Sequence, residues 1–180
     1  RLRAHGMTRD QKQLEKNDGP WYYEMHEPGY NYRITDFQCA LGENQLKRLE
    51  DFIERRKNIA TYSNQRFSKL NDKVIPPKVS PYVSHAWHIY PLQIDFELMN
   101  LDKANFFRNL KDKHIGVQVH YIPVHLQPYY QRQFAFRKGD FPISEAFYLK
   151  EISLPIYPSL KSKEMEYVAD CVLELLDSGI

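Results

Sequence analysis

The sequence predicts a small α/β layer, about three strands packed with two helices and led in by one long helix. Three observations predict it. After residue 35 apolar side chains recur at helical spacing, as Phe37, Leu41, Leu49, Phe52, Ile53 and Ala60. From residue 87 onward, short strand-like runs at 87–90, 117–121 and 152–154 flank a helical pattern that starts at Asp102. A closing run then places Met165, Val168, Ala169, Val172 and Leu176 three and four residues apart. With 180 residues, the chain is long enough for one domain, or one and a half, around a real core.

Composition narrows the class. Hydrophobic content of 42% and charged content of 27% are those of a globular protein in water, and no apolar run is long enough to span a bilayer. A net charge of +2 is too mild for a nucleic-acid binder, and Glu54-Arg55-Arg56-Lys57 reads as a solvated, mixed-sign helix face. Cys39 and Cys171 show no framework spacing, so a reducing, cytoplasmic compartment is expected. The start, RLRAHGM, is neither a signal peptide nor a natural Met start, so the chain reads as cut from something longer.

In order, residues 1–17 are weakly patterned and read as the tail of a helix ending near Gly6, then a loop. Gly-Pro and Pro-Gly pairs punctuate two turns around Trp21, Tyr22, Tyr23, Glu24 and Met25, an alternating arm with no evident second strand. Such an aromatic arm is expected to dock on a neighbour, as a dimer contact. Thr35 is an N-cap with Gln38 three residues on, the spacing of a capping box, and opens a helix expected to run to about Leu70. Gly42 inside it predicts a bend or a close backbone approach. Residues 74–86 carry three prolines and read as an extended connection. Pro91 pushes the strand beginning at Trp87 toward an edge or a bulge. Asp102 caps a helix that buries Phe106, Phe107 and Leu110 and closes at Gly116. In 117–121, Val117, Val119 and Tyr121 fall on one face of a strand, with Gln118 and His120 on the other. The loop 124–142 is long enough to suspect function.

The chemistry-bearing residues are few. A helix start offers free N–H groups to anions, and Asn31 and Arg33 sit just outside this one with donors of their own. A capped surface helix with a polar lead-in has the same local pattern. The seven histidines form no metal-ligand motif: His85 and His88 share a strand edge, and His120 and His125 straddle a proline. No nucleophile elbow, phosphate loop or dinucleotide fingerprint is present. Gln118 and His120, beside Tyr121, are the best pocket candidates and suit a sugar or nucleotide, although a solvated sheet face would look alike.

Five ordered stretches, GPWYYEM, GYNYRITDFQCALG, HAWHIY, GVQVHYIPVHLQPYY and ISLPIYPSL, together resemble the C-terminal half of the DegT/DnrJ/EryC1/StrS family of sugar aminotransferases. The resemblance implies the C-terminal small domain of a type I, aspartate-aminotransferase-like transferase that uses pyridoxal 5'-phosphate. It implies residues 1–34 as the end of the large domain with an aromatic dimer-contact arm, 35–72 as the interdomain helix and 73–180 as the small domain. The implied reaction moves an amino group from glutamate to the C4 ketone of a UDP-linked 4-keto-6-deoxy sugar, in a homodimer whose active site is shared between subunits. By the same resemblance, Asn31 reaches the partner's cofactor phosphate, and Gln118, Val119, His120 and Tyr121 contact the sugar nucleotide. Arg33 and the Trp21–Tyr23 arm lie near that site. The Schiff-base lysine belongs to a preceding domain, so no catalytic residue is expected in this chain; Lys47 and Lys57 fall on the exposed helix pattern. A sugar dehydratase of the same family and a non-catalytic binding or dimerisation domain remain the alternatives.

Overall fold

Between Arg1 and Arg48, the first of two units, backbone hydrogen bonds rather than a core hold the chain. The computed structural model describes residues 1–177, Asn71 by its backbone alone. Strand β1 (Met7–Thr8) pairs antiparallel with β2 (Glu24–Met25), Met7 opposite Met25. Ala4 bridges Asn31, and the His5, Tyr30 and Tyr32 amides donate to Tyr30, Leu2 and Arg3 carbonyls at 3.0, 2.7 and 2.9 Å. The two stretches approach so closely that a Cβ on Gly6, where φ is +72°, would sit 1.7 Å from the Glu27 carbonyl oxygen. Two expectations are corrected here. Residues 1–17 contain no helix, because their backbone groups are taken by turns and by the 24–32 stretch. The aromatic arm has a second strand after all, Met7–Thr8, too short to register as a pattern. The Glu24 carboxylate fastens the intervening loop. The amides of Glu15 (2.8 Å) and Lys16 (3.1 Å) donate to it, and with Tyr22 and His26 they hold its pKa down at about 2.

Helix α1 (Asp36–Leu46) begins as its sequence predicts. Thr35 Oγ1 accepts from the Gln38 amide, and the Gln38 side chain accepts from the Thr35 amide at 3.0 Å. None of its residues is buried, and a Cβ on Gly42 would meet nothing within 4 Å, so the expected backbone approach is not made among the described residues. The expected single helix is two. At Arg48 the amide bonds Gln45 at i−3 and closes α1 with a turn, and α2 (Leu49–Phe67) starts afresh. Apolar spacing runs on across this break and could not report it. Helix α2 passes into a 3-10 turn, Ser68–Lys73.

The second unit is built on a three-stranded antiparallel sheet, β3 (Val74–Ile75), β4 (Tyr90–Ile94) and β5 (Glu151–Leu154), with β4 in the centre. Tyr90, Leu92 and Ile94 of β4, with Ile152 and Leu154 of β5, belong to one buried cluster. Ile59, Ala60 and Phe67 of α2, Phe106 and Leu110 of α3 (Lys103–Asp112), and Ala169, Val172, Leu175 and Leu176 of α6 (Ser162–Asp177) belong to it as well. Asp102 caps α3, accepting from the Asn105 amide at 2.6 Å. The left-handed residue that ends α3 is His114 (φ 60°) rather than Gly116, with the Ile115 amide bonded back to the Leu110 carbonyl. Residues 117–121 are not a strand: only Gln118 pairs, with Ser153. The third strand is instead β3, inside the proline-bearing connection. Pro91 sits in the central strand, opposite Ser153 of β5. It is tolerated there because β3 reaches only Gln93 and Ile94, leaving the edge at Pro91 unpaired.

The loop 124–142 holds a 3-10 turn (Val124–Leu126) and the short α4 (Pro128–Phe134), before α5 (Pro142–Lys150). Arg55 and Arg56 are more than a solvated face. Arg56 Nη1 donates to the carbonyls of Trp87, His88 and Ile156 at 3.0, 3.2 and 2.9 Å, and Arg55 donates to those of Pro158 and Leu160.

Candidate functional site

Alternation along β5 creates a buried polar cluster in the second unit. Ile152 and Leu154 turn into the core, so Glu151 and Ser153 face the other side of the sheet. Gln118 pairs with Ser153 along the edge of β5, and all four β5 residues are buried, Glu151 at 0% exposure. The His120 amide donates to Glu151 Oε2 at 2.9 Å, and Ser153 Oγ bonds the other carboxylate oxygen. His120 Nδ1 lies 2.8 Å from the same Ser153 Oγ, and the imidazole meets the Tyr121 ring edge-on at 4.7 Å. Gln118 and Tyr121 are exposed, and Val119 and His120 half-buried. The structure thus joins Gln118 and His120 to two residues that sequence reasoning missed. Their signal was present: Glu-Ile-Ser-Leu alternates polar and apolar with period two, as a strand with one polar face does. Nearby, burial pushes the Lys103 ammonium down, and the Glu151 charge opposes that shift; Lys103 donates to the Tyr148 carbonyl at 2.6 Å.

The loop 124–142 is anchored from beneath. His125 Nε2 lies 2.7 Å from Glu145 Oε1, both side chains buried, and the Gly139 amide donates to both carboxylate oxygens at 2.8 and 3.0 Å. The bond from His125 and then that from Gly139 hold the Glu145 pKa below the usual carboxylate value. His85 Nδ1 accepts from the Trp87 amide at 3.0 Å. His85, His120 and His125 are therefore each engaged locally. An apolar groove of about 630 Å³ in this unit has walls that include Pro76, Pro77, Val83, Trp87, Ile89 and Phe147.

Asn31 and Arg33 belong to the first unit, outside the cluster around His120. Asn31 is exposed, and among the described residues its side chain takes no hydrogen bond. A cleft of about 460 Å³ is lined by Ala4, Met7, Thr8, Arg9, Tyr23 and Arg33. The Arg9 guanidinium stands 5.8 Å over the Tyr23 ring, and neither arginine has a carboxylate partner among the described residues. This cleft offers two permanent cations with no acidic lining residue, the chemistry that suits phosphate or carboxylate, and Asn31 is not among its lining residues. Lys47 pairs with Glu43 at 2.9 Å and Lys57 lies 3.9 Å from Glu54, both on the helix surface as expected.

The DegT/DnrJ/EryC1/StrS aminotransferase family pattern matches residues 1–173. Uncharacterized protein MJ1066 of Methanocaldococcus jannaschii is 41% identical over 178 residues, covering 99% of this chain and 46% of that protein. The UDP-4-amino-4,6-dideoxy-N-acetyl-beta-L-altrosamine transaminase of Campylobacter jejuni is 34% identical, covering 98% of the chain and 44% of the transaminase. Among solved structures, Helicobacter pylori PseC, an aminotransferase of pseudoaminic acid biosynthesis, superposes with a TM-score of 0.82 at 28% identity, over 98% of this chain and 44% of PseC. The PLP-form of the putative sugar aminotransferase Spr1654 of Streptococcus pneumoniae gives 0.82 at 25% identity, over 99% and 42%. The chain spans a little under half the length of the relatives it matches.

Proposed function

Since this chain belongs to the DegT/DnrJ/EryC1/StrS aminotransferase family, we propose that it is the C-terminal part of a pyridoxal-phosphate-dependent sugar aminotransferase. The proposed reaction moves an amino group from glutamate to the C4 ketone of a UDP-linked 4-keto-6-deoxy sugar. The observation that carries this reading is the match over residues 1–173, with the UDP-amino-sugar transaminase among the relatives giving the substrate class. Pyridoxal phosphate, when bound, supplies the electron sink for the transfer. In this chain Asn31 would hold its phosphate in the partner subunit of a homodimer, and the free amide beside a helix start fits an anion. Gln118, Val119, His120 and Tyr121 would orient the sugar nucleotide through polar edges and an exposed ring. In this proposal residues 1–34 end the large domain, 35–72 link the domains and 73–180 form the small domain. The lysine that bonds the cofactor would lie in the preceding part of the protein.

The test uses the full-length protein with pyridoxal phosphate, glutamate and a UDP-4-keto-6-deoxy sugar, read by mass spectrometry of the product. Amination at C4 is expected. Asn31→Ala should weaken cofactor binding by about ten- to a hundredfold, the loss of a hydrogen bond to a charged group. A product that has lost a hydroxyl group and gained no nitrogen would mean a dehydratase and overturn the reading.

A further inference from the structure

The cluster behind His120 has a proton order that its hydrogen bonds define. Glu151 is fully buried and accepts the His120 amide on one oxygen. Its other oxygen accepts from the Ser153 hydroxyl, so both oxygens act as acceptors, the hydrogen-bonding pattern of a carboxylate. A carboxylate only accepts, so the single hydroxyl proton of Ser153 goes to Glu151. Ser153 Oγ then has only lone pairs left for His120 Nδ1, 2.8 Å away, and that nitrogen must carry a proton. The opposite ring nitrogen, Nε2, has no partner among the described residues and sits on a half-exposed ring beside Tyr121.

We propose that Glu151 and Ser153 are positioning residues that hold His120 as the Nδ1–H tautomer, so that Nε2 presents a lone pair to a hydroxyl or amide N–H of the sugar nucleotide. Glu151 does this twice over: it pins the backbone through the His120 amide and sets the ring through Ser153. The ligand half of this inference rests on the proposed function, and the tautomer half does not. A site built this way accepts a hydrogen bond from its ligand, and a ligand lacking a donor there leaves a lone pair unmet.

The experiment uses the full-length holoenzyme with ring-15N histidine, the His120 signals being assigned by their loss in His120→Gln. Solid-state NMR at a pH where the ring is neutral should show Nδ1 protonated and Nε2 bare, with no sugar present. Ser153→Ala removes the acceptor and should mix the tautomers. Glu151→Gln keeps the shape but carries donors as well as an acceptor, so it no longer orders the Ser153 proton and should mix them too. Ser153→Thr retains the hydroxyl and should restore the wild-type signature. In turnover, Ser153→Ala should raise KM for the UDP-4-keto sugar about tenfold, more than it lowers kcat, and leave KM for glutamate alone. The opposite tautomer in the wild type, unchanged His120 signals in both variants, or an unchanged sugar KM would each overturn the proposal. A wild-type enzyme that aminates no UDP-sugar would instead sink the proposed function, with the tautomer result standing on its own.

Discussion

The two units of this chain hold their shape by different means. Every buried apolar side chain among the described residues lies between Ile59 and Leu176, in the second unit, where sheet and helices share one core. In Arg1–Arg48 only Gly6 is buried. There Trp21, Tyr23, Met25, Tyr30, Tyr32, Phe37 and Leu41 are all more than half exposed. A segment of that size cannot bury enough surface by itself to offset chain entropy, and its order comes from backbone pairing and from side chains such as Glu24 that satisfy loop amides. The difference teaches that apolar residues at helical spacing signal burial without saying by what. The same spacing buries Ile59, Ala60 and Phe67 in α2 and no residue of α1.

The largest expected effect tests the second unit. Phe106→Ala should cost about 3–5 kcal/mol, the loss of a fully buried ring plus a cavity. Hydrogen exchange on the full-length protein should show β4, β5, α3 and α6 losing protection together while 1–48 changes little. Loss of protection in both units alike would break the comparison. Acid gives an intermediate effect. Glu24 and Glu145 both have folded pKa values below the ordinary 4.5. Each therefore stabilises its unit above about that pH, and the contribution drains away as pH falls through the folded value, near 2 for Glu24. Amide exchange at Glu15 and Lys16 should accordingly stay slow through pH 4 and rise only below it; early loss near pH 5 would show that the clamp is not formed. The smallest effect sharpens the contrast. Phe37 is 81% exposed, so Phe37→Ser should change unfolding free energy by less than about 0.5 kcal/mol. In the full-length protein, sedimentation should show weakened self-association if this face is the dimer contact.

What was legible in the sequence was local. The Thr35–Gln38 capping box, the Asp102 cap and the stripe on α6 each depend on residues within a few positions of one another, and each formed as read. The failures were long-range. Nothing near Arg56 tells that its guanidinium will reach a carbonyl a hundred residues away, at Ile156. Nothing in 74–75 tells that two residues beside a proline run will pair with 93–94. The 117–121 strand failed because alternation licenses a strand without supplying a neighbour, and only Gln118 found one. At the candidate site Gln118 and His120 were legible as a polar face, whereas Glu151 and Ser153 were overlooked because a carboxylate is seldom fully buried.

Strand β5 carries one further consequence. Its partner β4 lies some sixty residues earlier, so the pair aligns only after a long stretch of chain has closed on itself. A slip of one residue would put Glu151 and Ser153 among the aliphatic side chains and turn Ile152 and Leu154 outward. The acid beneath the imidazole thus also guards the register, disfavouring any pairing one residue out of step.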